Sequence, residues 1–381
     1  MNRLSGFRGH RTIGRCVRRL MVGMTSACIM VLGMAGIGAG TAVADTVIDT
    51  IPVGDFPSGV AVNPFGFRAY VANSDDDSVS VIDTVTNTVV DTVTVGDSPR
   101  AVAVSPDGSR AYVSEADADT VSVIETVGNT VSVTIPVGDF PTGVAVSPDG
   151  SRVYVAELFD DSVSVIETVG NTVVDTIPLG AAPTGVAVSP DGSRVYVANN
   201  VGDTVSVIDA GTSTELTTIA VGNSPRGVAV TPDGSRVYVT NRLDDTVSVI
   251  DTDTNTVVDT VTVGDRPVRV AVSPFGSRVY VTNLLDDSVS VIETAGNTVG
   301  EIVPVGDSPI GVAIAPFGSR AYVTNSDGDT VSVIAVERCS GSLCIATASL
   351  AGGGSTGSGG TGSLVGGGSL GGAGSAGSAG S

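Results

Sequence analysis

The chain has 381 residues, with 40 acids against 19 basic residues, a net charge of −21, one His, four Cys and no Trp. Every basic residue other than His10 is an arginine. A negative excess of this size repels phosphate backbones and anionic lipid, so the composition argues against a nucleic-acid or anionic-membrane partner and favours solubility and association with cations.

The first 44 residues differ from the rest. They hold His10, all five Met, six of the 19 Arg and no acid. A basic stretch ending in Arg18-Arg19 leads into an apolar run from Leu20, which closes on Ala42-Val43-Ala44, the small-x-small pattern of a signal-peptidase site. Residues 1–44 therefore read as a signal peptide cleaved after Ala44, leaving an exported, secreted or envelope-associated chain with no membrane span. An uncleaved anchor is the alternative, because 25 mostly apolar residues are enough to cross a bilayer. Sec and twin-arginine export both stay open. Without the leader, 40 acids face 13 Arg and the net charge becomes −27.

Residues 45–51, "DTVIDTI", begin the remainder with a phrase that elsewhere closes a repeat. A Gly returns at 54, 96, 138, 180, 222, 264 and 306, and the chain's seven Tyr at 70, 112, 154, 196, 238, 280 and 322, each series 42 residues apart without insertion or deletion. One unit contains four β-branched segments, in the third copy "GVAVS", "RVYVA", "SVSVIE" and "TVVDTI", bounded by Gly, Pro, Asp or Asn as strands are. "SPDG" spells a type I turn, and "VGNT" marks a second hairpin. The fold class expected is all-β: a seven-bladed β-propeller with four antiparallel strands per blade over residues 45–338. A linear solenoid would need dissimilar caps. Here the seventh copy lacks its fourth strand and residues 45–51 are a spare one, so the N-terminal strand 45–51 is expected to complete the last blade and close the ring.

Past the repeats, Cys339 and Cys344 in "CSGSLC" are expected to form a disulfide loop (339–344) in an exported protein, since a metal site would need further His or Cys. Residues 345–381 are Gly, Ser, Ala and Thr with a few Leu and no charge, a composition that buries no core and predicts a disordered tail, a spacer or dispensable.

The segments "AYVAN", "VYVAN", "VYVTN", "VYVTN" and "AYVTN" (69–73, 195–199, 237–241, 279–283 and 321–325) resemble the motif that names the YVTN family of β-propeller repeat proteins. The resemblance covers residues 45–338. It implies a seven-bladed propeller near the surface-layer and other exported propellers, and it implies no particular activity. A more distant similarity is to lactonase-like and quinoprotein-like propellers, whose sites would lead one to expect His or Trp.

With no Lys or Trp in the chain, and His and Met confined to the leader, Ser-His-Asp and Cys-His nucleophiles, His-ligated metals and Schiff-base lysines are excluded. Arg152 should pair with Glu167 across the second and third strands, and likewise Arg110 with Glu125, Arg194 with Asp209 and Arg236 with Asp251, as surface pairs worth about 0–1 kcal/mol each. The loops between blades and between second and third strands share one face and gather the acids. Asp117 with Asp119, and Asp327 with Asp329, are candidate calcium ligands, against the simpler reading that Asp makes good turns; no other cofactor is expected. Two breaks in the repeat stand out. Arg100, Arg226 and Arg269 fall near the start of innermost strands, so they should gather at the channel mouth as a site for a small anion or a partner's carboxylate. Phe65, Phe67, Phe275 and Phe317 replace polar turn residues in blades one, six and seven, which ring closure makes neighbours, and should form one aromatic interaction patch. The function expected is an exported, non-catalytic binding or structural scaffold at the cell surface or envelope with a protein or envelope partner. The alternative is a carboxylate-dependent hydrolase or lactonase-like enzyme with its site at the channel mouth.

Overall fold

The computed structural model describes residues 44–336. The leader up to residue 43, the Cys339–Cys344 pair and the tail lie outside them. Among the described residues the chain forms 28 strands in seven four-stranded antiparallel sheets. Blade one shows the plan: β2 (Pro57–Val62), β3 (Arg68–Asn73), β4 (Ser78–Asp83) and β5 (Thr88–Thr94), hydrogen-bonded in chain order. In the third copy the strands are Pro141–Val146, Arg152–Glu157, Ser162–Glu167 and Thr172–Pro178, matching the four segments expected from the sequence.

The hydrophobic core lies between blades rather than within them. Tyr154, Val163, Val165 and Ile177 of blade three pack against Val195, Val197 and Ile208 of blade four, and each junction repeats this scheme. Alternating Val and Tyr on the second and third strands supply both faces, so each blade is a layer that covers its neighbour. All seven tyrosines are at most 1% exposed.

Closure follows the expected route. The strand β1 (Thr46–Pro52) pairs antiparallel with β28 (Thr330–Ala335), and the seventh sheet runs β1-β28-β27-β26, with β26 spanning Pro309–Ile314 and β27 Arg320–Asn325. Ile51 is 2% exposed and enters the cluster that joins Tyr322 and Val331 of blade seven to Ala69 and Val71 of blade one. Every outer strand shifts register by one residue at the same place, between Val47 and Asp49 in β1 and opposite Val165 and Ile166 in blade three. Such a bulge twists an edge away from further strand pairing, a hazard for a ring whose rim is seven edges.

The expected arginine pairs form only in part. Arg110 meets Glu125 at 3.1 Å, and Arg236 meets Asp251. Arg152 and Arg194 stand opposite Glu167 and Asp209 in register, yet Arg152 donates to the Ala210 carbonyl and Arg194 to the Thr252 carbonyl at 2.6 Å. Both bonds cross to the next blade. Arg110 makes both contacts, donating also to the Thr168 carbonyl of the next blade at 2.8 Å, since one guanidinium is long enough and carries donors enough to span the groove.

Candidate functional site

The seven first strands meet at the axis. Ideal Cβ atoms at Gly143 and Gly185 would lie 2.2 Å from the carbonyl oxygens of Thr184 and Arg226 in the following blades, so only Gly permits this approach. The space they surround is a cavity of about 120 Å³ lined by Gly, Ala and Val, with Arg269 the one charged residue among its lining. Arg269 occupies the place that Gly59, Gly143, Gly185, Gly227 and Gly311 hold in other blades.

Arg226 feels the charges of Arg100 and Arg269, and of a fourth arginine, Arg242; of the four, Arg269 lines the axial cavity. Burial and the positive charges of Arg242, Arg269 and Arg100 push the Arg226 guanidinium down to about 10. Burial lowers Arg269, and burial followed by Arg266 lowers Arg242. Among the described residues, the arginines in ion pairs are Arg68, Arg110, Arg236 and Arg278, none of them from this group. The Nε atoms of Arg100 and Arg242 are buried without a hydrogen-bond partner. The Arg100 guanidinium lies 5.7 Å from the ring centre of Phe140, a cation–π distance. Phe140 in turn packs against Phe159 at 4.8 Å between centroids. Four cations drawn together without a carboxylate form a focus of positive potential in an acidic protein, and the chemistry that fits it is a carboxylate or another small oxyanion accepting several N–H bonds at once.

The acids surround this centre as loop residues. Asp77, Asp119, Asp161, Asp203, Asp245, Asp287 and Asp329 all take left-handed backbone angles. Each accepts a bond from the backbone N–H 21 residues further round the ring, as Asp119 does from Phe140 at 3.0 Å and, across the chain break, Asp329 from Phe56 at 3.0 Å. The calcium candidates Asp119 and Asp329 are thus pins between blades, while Asp117 and Asp327 are exposed beside them; among the described residues no group of three or more such side chains gathers to hold a metal. Crowding by Asp76 and Asp329 holds the Asp55 carboxyl above its ordinary range.

On the opposite face the phenylalanines form an arc. Phe65, Phe67, Phe275 and Phe317 are 55–69% exposed. The rings of Phe275, Phe317 and Phe65 lie over the turn glycines Gly318, Gly66 and Gly108 of the next blade. Blades six, seven and one are neighbours, and their rings follow one another round the rim, each seated on the following turn.

Sequence reasoning missed Arg242 and a buried pair of acids. The last residue of the second strand is Asn in five blades and Glu115 or Glu157 in blades two and three, all 0% exposed. The asparagines donate to two hydroxyls, as Asn73 does to Ser78 and Ser80 at 3.0 and 2.9 Å. Glu115 and Glu157 instead accept from the backbone N–H of Gly96 and Gly138 at 2.7 and 2.8 Å, and from the hydroxyls of Thr120 and Ser162. The signal was legible as "YVSE" and "YVAE" in place of "YVAN". Arg242 carried a weaker one, being the only Arg in its loop position.

Seven blades, a closed ring and an axial recess define a β-propeller protein. Residues 187–276 match a family described as YNCE-like beta-propeller, and residues 132–220 match one described as Lactonase, 7-bladed beta-propeller. No curated protein matches the chain. Among solved structures the chain is similar to the hydrazine synthase of Kuenenia stuttgartiensis, at 25% identity and a TM-score of 0.69, over 79% of this chain and 99% of that one.

Proposed function

We propose that this protein is an exported propeller of the YVTN-repeat type that serves as a non-catalytic binding scaffold at the cell surface or envelope. Its arginine-lined channel mouth takes a carboxylate of a protein or envelope partner. The observation that carries this reading is the gathering of Arg100, Arg226, Arg242 and Arg269 without an acid partner. Uncompensated half-buried charge costs stability, and a ligand that supplies the missing anion recovers it.

Citrate, titrated calorimetrically at low ionic strength, is a suitable probe. Arg226→Gln and Arg269→Gln are each expected to weaken it at least tenfold, while Arg226→Gln raises the melting temperature by relieving repulsion. Failure of citrate to bind, or a melting temperature that falls in Arg226→Gln, overturns the assignment of the site. The Lactonase match over residues 132–220 favours a second reading, a carboxylate-dependent hydrolase. Glu157, the buried acid in that segment, is held by a backbone N–H and a hydroxyl rather than facing the axial cavity. Hydrolysis of a simple lactone above the buffer rate would establish that second reading.

A further inference from the structure

Asp45 is where the seventh blade departs from the other six. The turn between third and fourth strands carries Asn87, Asn129, Asn171, Ser213, Asn255 and Asn297, and Asp45, 42 residues before Asn87, takes that place beside the chain break. The Asn171 Oδ1 is buried without a partner, whereas at two of the continuous turns, Asn87 and Asn297, the Asn side chain links two blades in full. Its oxygen accepts from the preceding blade, from Tyr238 to Asn297 and from Arg320 to Asn87, both at 3.0 Å. Its Nδ2 donates to an outer-strand carboxylate of that blade, from Asn87 to Asp49 at 2.9 Å and from Asn297 to Asp259 at 3.0 Å.

Asp45 reproduces both halves by different means. Its carboxylate accepts from Arg278 at 3.0 Å and from the Tyr280 hydroxyl at 2.7 Å, and its side chain is fully buried. A carboxylate has no N–H to give, and the outer-strand acid of blade six, Glu301, is met instead by the backbone nitrogen of Asp45 at 3.0 Å. Glu301 stands where Asp49, Asp91, Asp175 and Asp259 stand in other blades, one methylene longer. Arg278 also pairs with Glu293 at 2.9 Å. Around this junction, then, two carboxylates, Asp45 and Glu293, share one guanidinium, and the group touching a third, Glu301, is an amide.

Ala44 is exposed and Asp45 is 3% exposed, so the bond between them crosses the boundary between solvent and interior. It follows the small-x-small pattern Ala42-Val43-Ala44. Hydrolysis there adds one water across the peptide bond, leaving a carboxylate on Ala44 and an ammonium on Asp45, with no change of oxidation state. The nitrogen already aimed at Glu301 becomes a second cation with three donors.

We propose that the junction of blades six and seven is a binding site for the chain's own processed amino terminus: removal of the leader after Ala44 frees an α-ammonium that pairs with Glu301 while the Asp45 carboxylate is held by Arg278 and Tyr280, so that proteolytic maturation locks the ring. The proposal rests on the export reading above.

The absence of lysine makes the α-amine the sole primary amine of the processed protein, so an N-hydroxysuccinimide ester reads it alone. The expected results are an exported chain whose mass begins at Asp45, labelling at least tenfold slower in the native protein than in Glu301→Gln, and a melting temperature lowered by acetylation or by Glu301→Gln but not further by both. In a chain that retains Val43-Ala44, Glu301→Gln should cost less. A protein that stays in the cell with residues 1–44 attached overturns the lock and the export reading together, and one that is exported with them attached overturns the lock alone. A chain that starts at Asp45 but whose amine labels, and whose fold melts, alike in native and Glu301→Gln forms overturns the lock alone.

Discussion

Blades two to five and blades six, seven and one build the same turn by opposite means. In the first arc the turn is Ser/Thr-Pro-Asp-Gly, and Asp107, Asp149, Asp191 and Asp233 each accept from the preceding hydroxyl at 2.6 Å. These bonds, together with those from the following Ser, hold the Asp149 and Asp191 carboxyls down to about 2. In the second arc Phe replaces Asp and the ring rests on the glycine of the next blade. The first arc adds a carboxylate that gathers local hydroxyls, and the second adds a ring laid on the next blade, with Asn63 in blade one still accepting locally from the Phe65 N–H at 2.8 Å. The chain break lies in the second arc, where links between blades have to replace covalent continuity. Beneath the turns one arginine of the second arc stands apart: Arg194 in the first arc and Arg320 in the second give their cross-blade bonds to neutral carbonyls, Arg278 to a buried carboxylate.

The largest difference between the arcs should come from that last pair. Arg278→Gln removes the guanidinium that pairs with the buried Asp45 carboxylate and is expected to cost about 3–5 kcal/mol. Arg194→Gln removes bonds to neutral acceptors and should cost about 1 kcal/mol. Urea unfolding of the two variants measures this directly, and equal losses would show that the break depends no more on charge than the continuous arc does.

Acid should act on the other arc. A carboxyl whose folded value is depressed stabilises the fold above its unfolded value, near 4, and loses that contribution as pH falls towards 2. Asp149→Asn with Asp191→Asn should therefore flatten the fall of melting temperature between pH 4 and 2. The effect stays under about 1 kcal/mol per residue, because these groups are exposed and solvent screens them. A slope unchanged by the double substitution would mean that the acid sensitivity lies outside this arc. The smallest effect on stability belongs to Phe275→Ser with Phe317→Ser, within about 1 kcal/mol because the rings are mostly exposed. Fluorescence of a dye that binds apolar surface should fall in this variant, and a variant that matches the native protein in dye and partner binding alike would show that the rings serve their turns alone.

Much of the fold was legible because a strict 42-residue period leaves strand order, register and closure little freedom, and Tyr70 through Tyr322 mark it without interruption. The departures at Arg100, Arg226 and Arg269 were legible for the same reason: a break in a repeat has a known address in the ring. Side-chain choices across blades were not. Arg152 had a carboxylate opposite and a carbonyl within reach in the next blade, and the sequence contains nothing about which distance is shorter. Arg242 sits in a loop whose other members vary, so its approach to the axis depends on loop geometry rather than on period. Glu115 and Glu157 occupy a motif position read as Asn, and their burial depends on a glycine N–H supplied from 19 residues earlier.

The aspartate pins carry one more consequence. All seven point the same way round, from one blade's loop to the next blade's entry, and the pin from Asp329 to Phe56 passes the termini as if they were absent. To this belt the position of the chain ends is invisible. A circularly permuted chain, joined between Ala335 and Asp45 and opened at the hairpin between Asp209 and Thr214, would keep every pin, and its new amino terminus would fall beside Asp175, which holds in blade three the place of Glu301 in blade six.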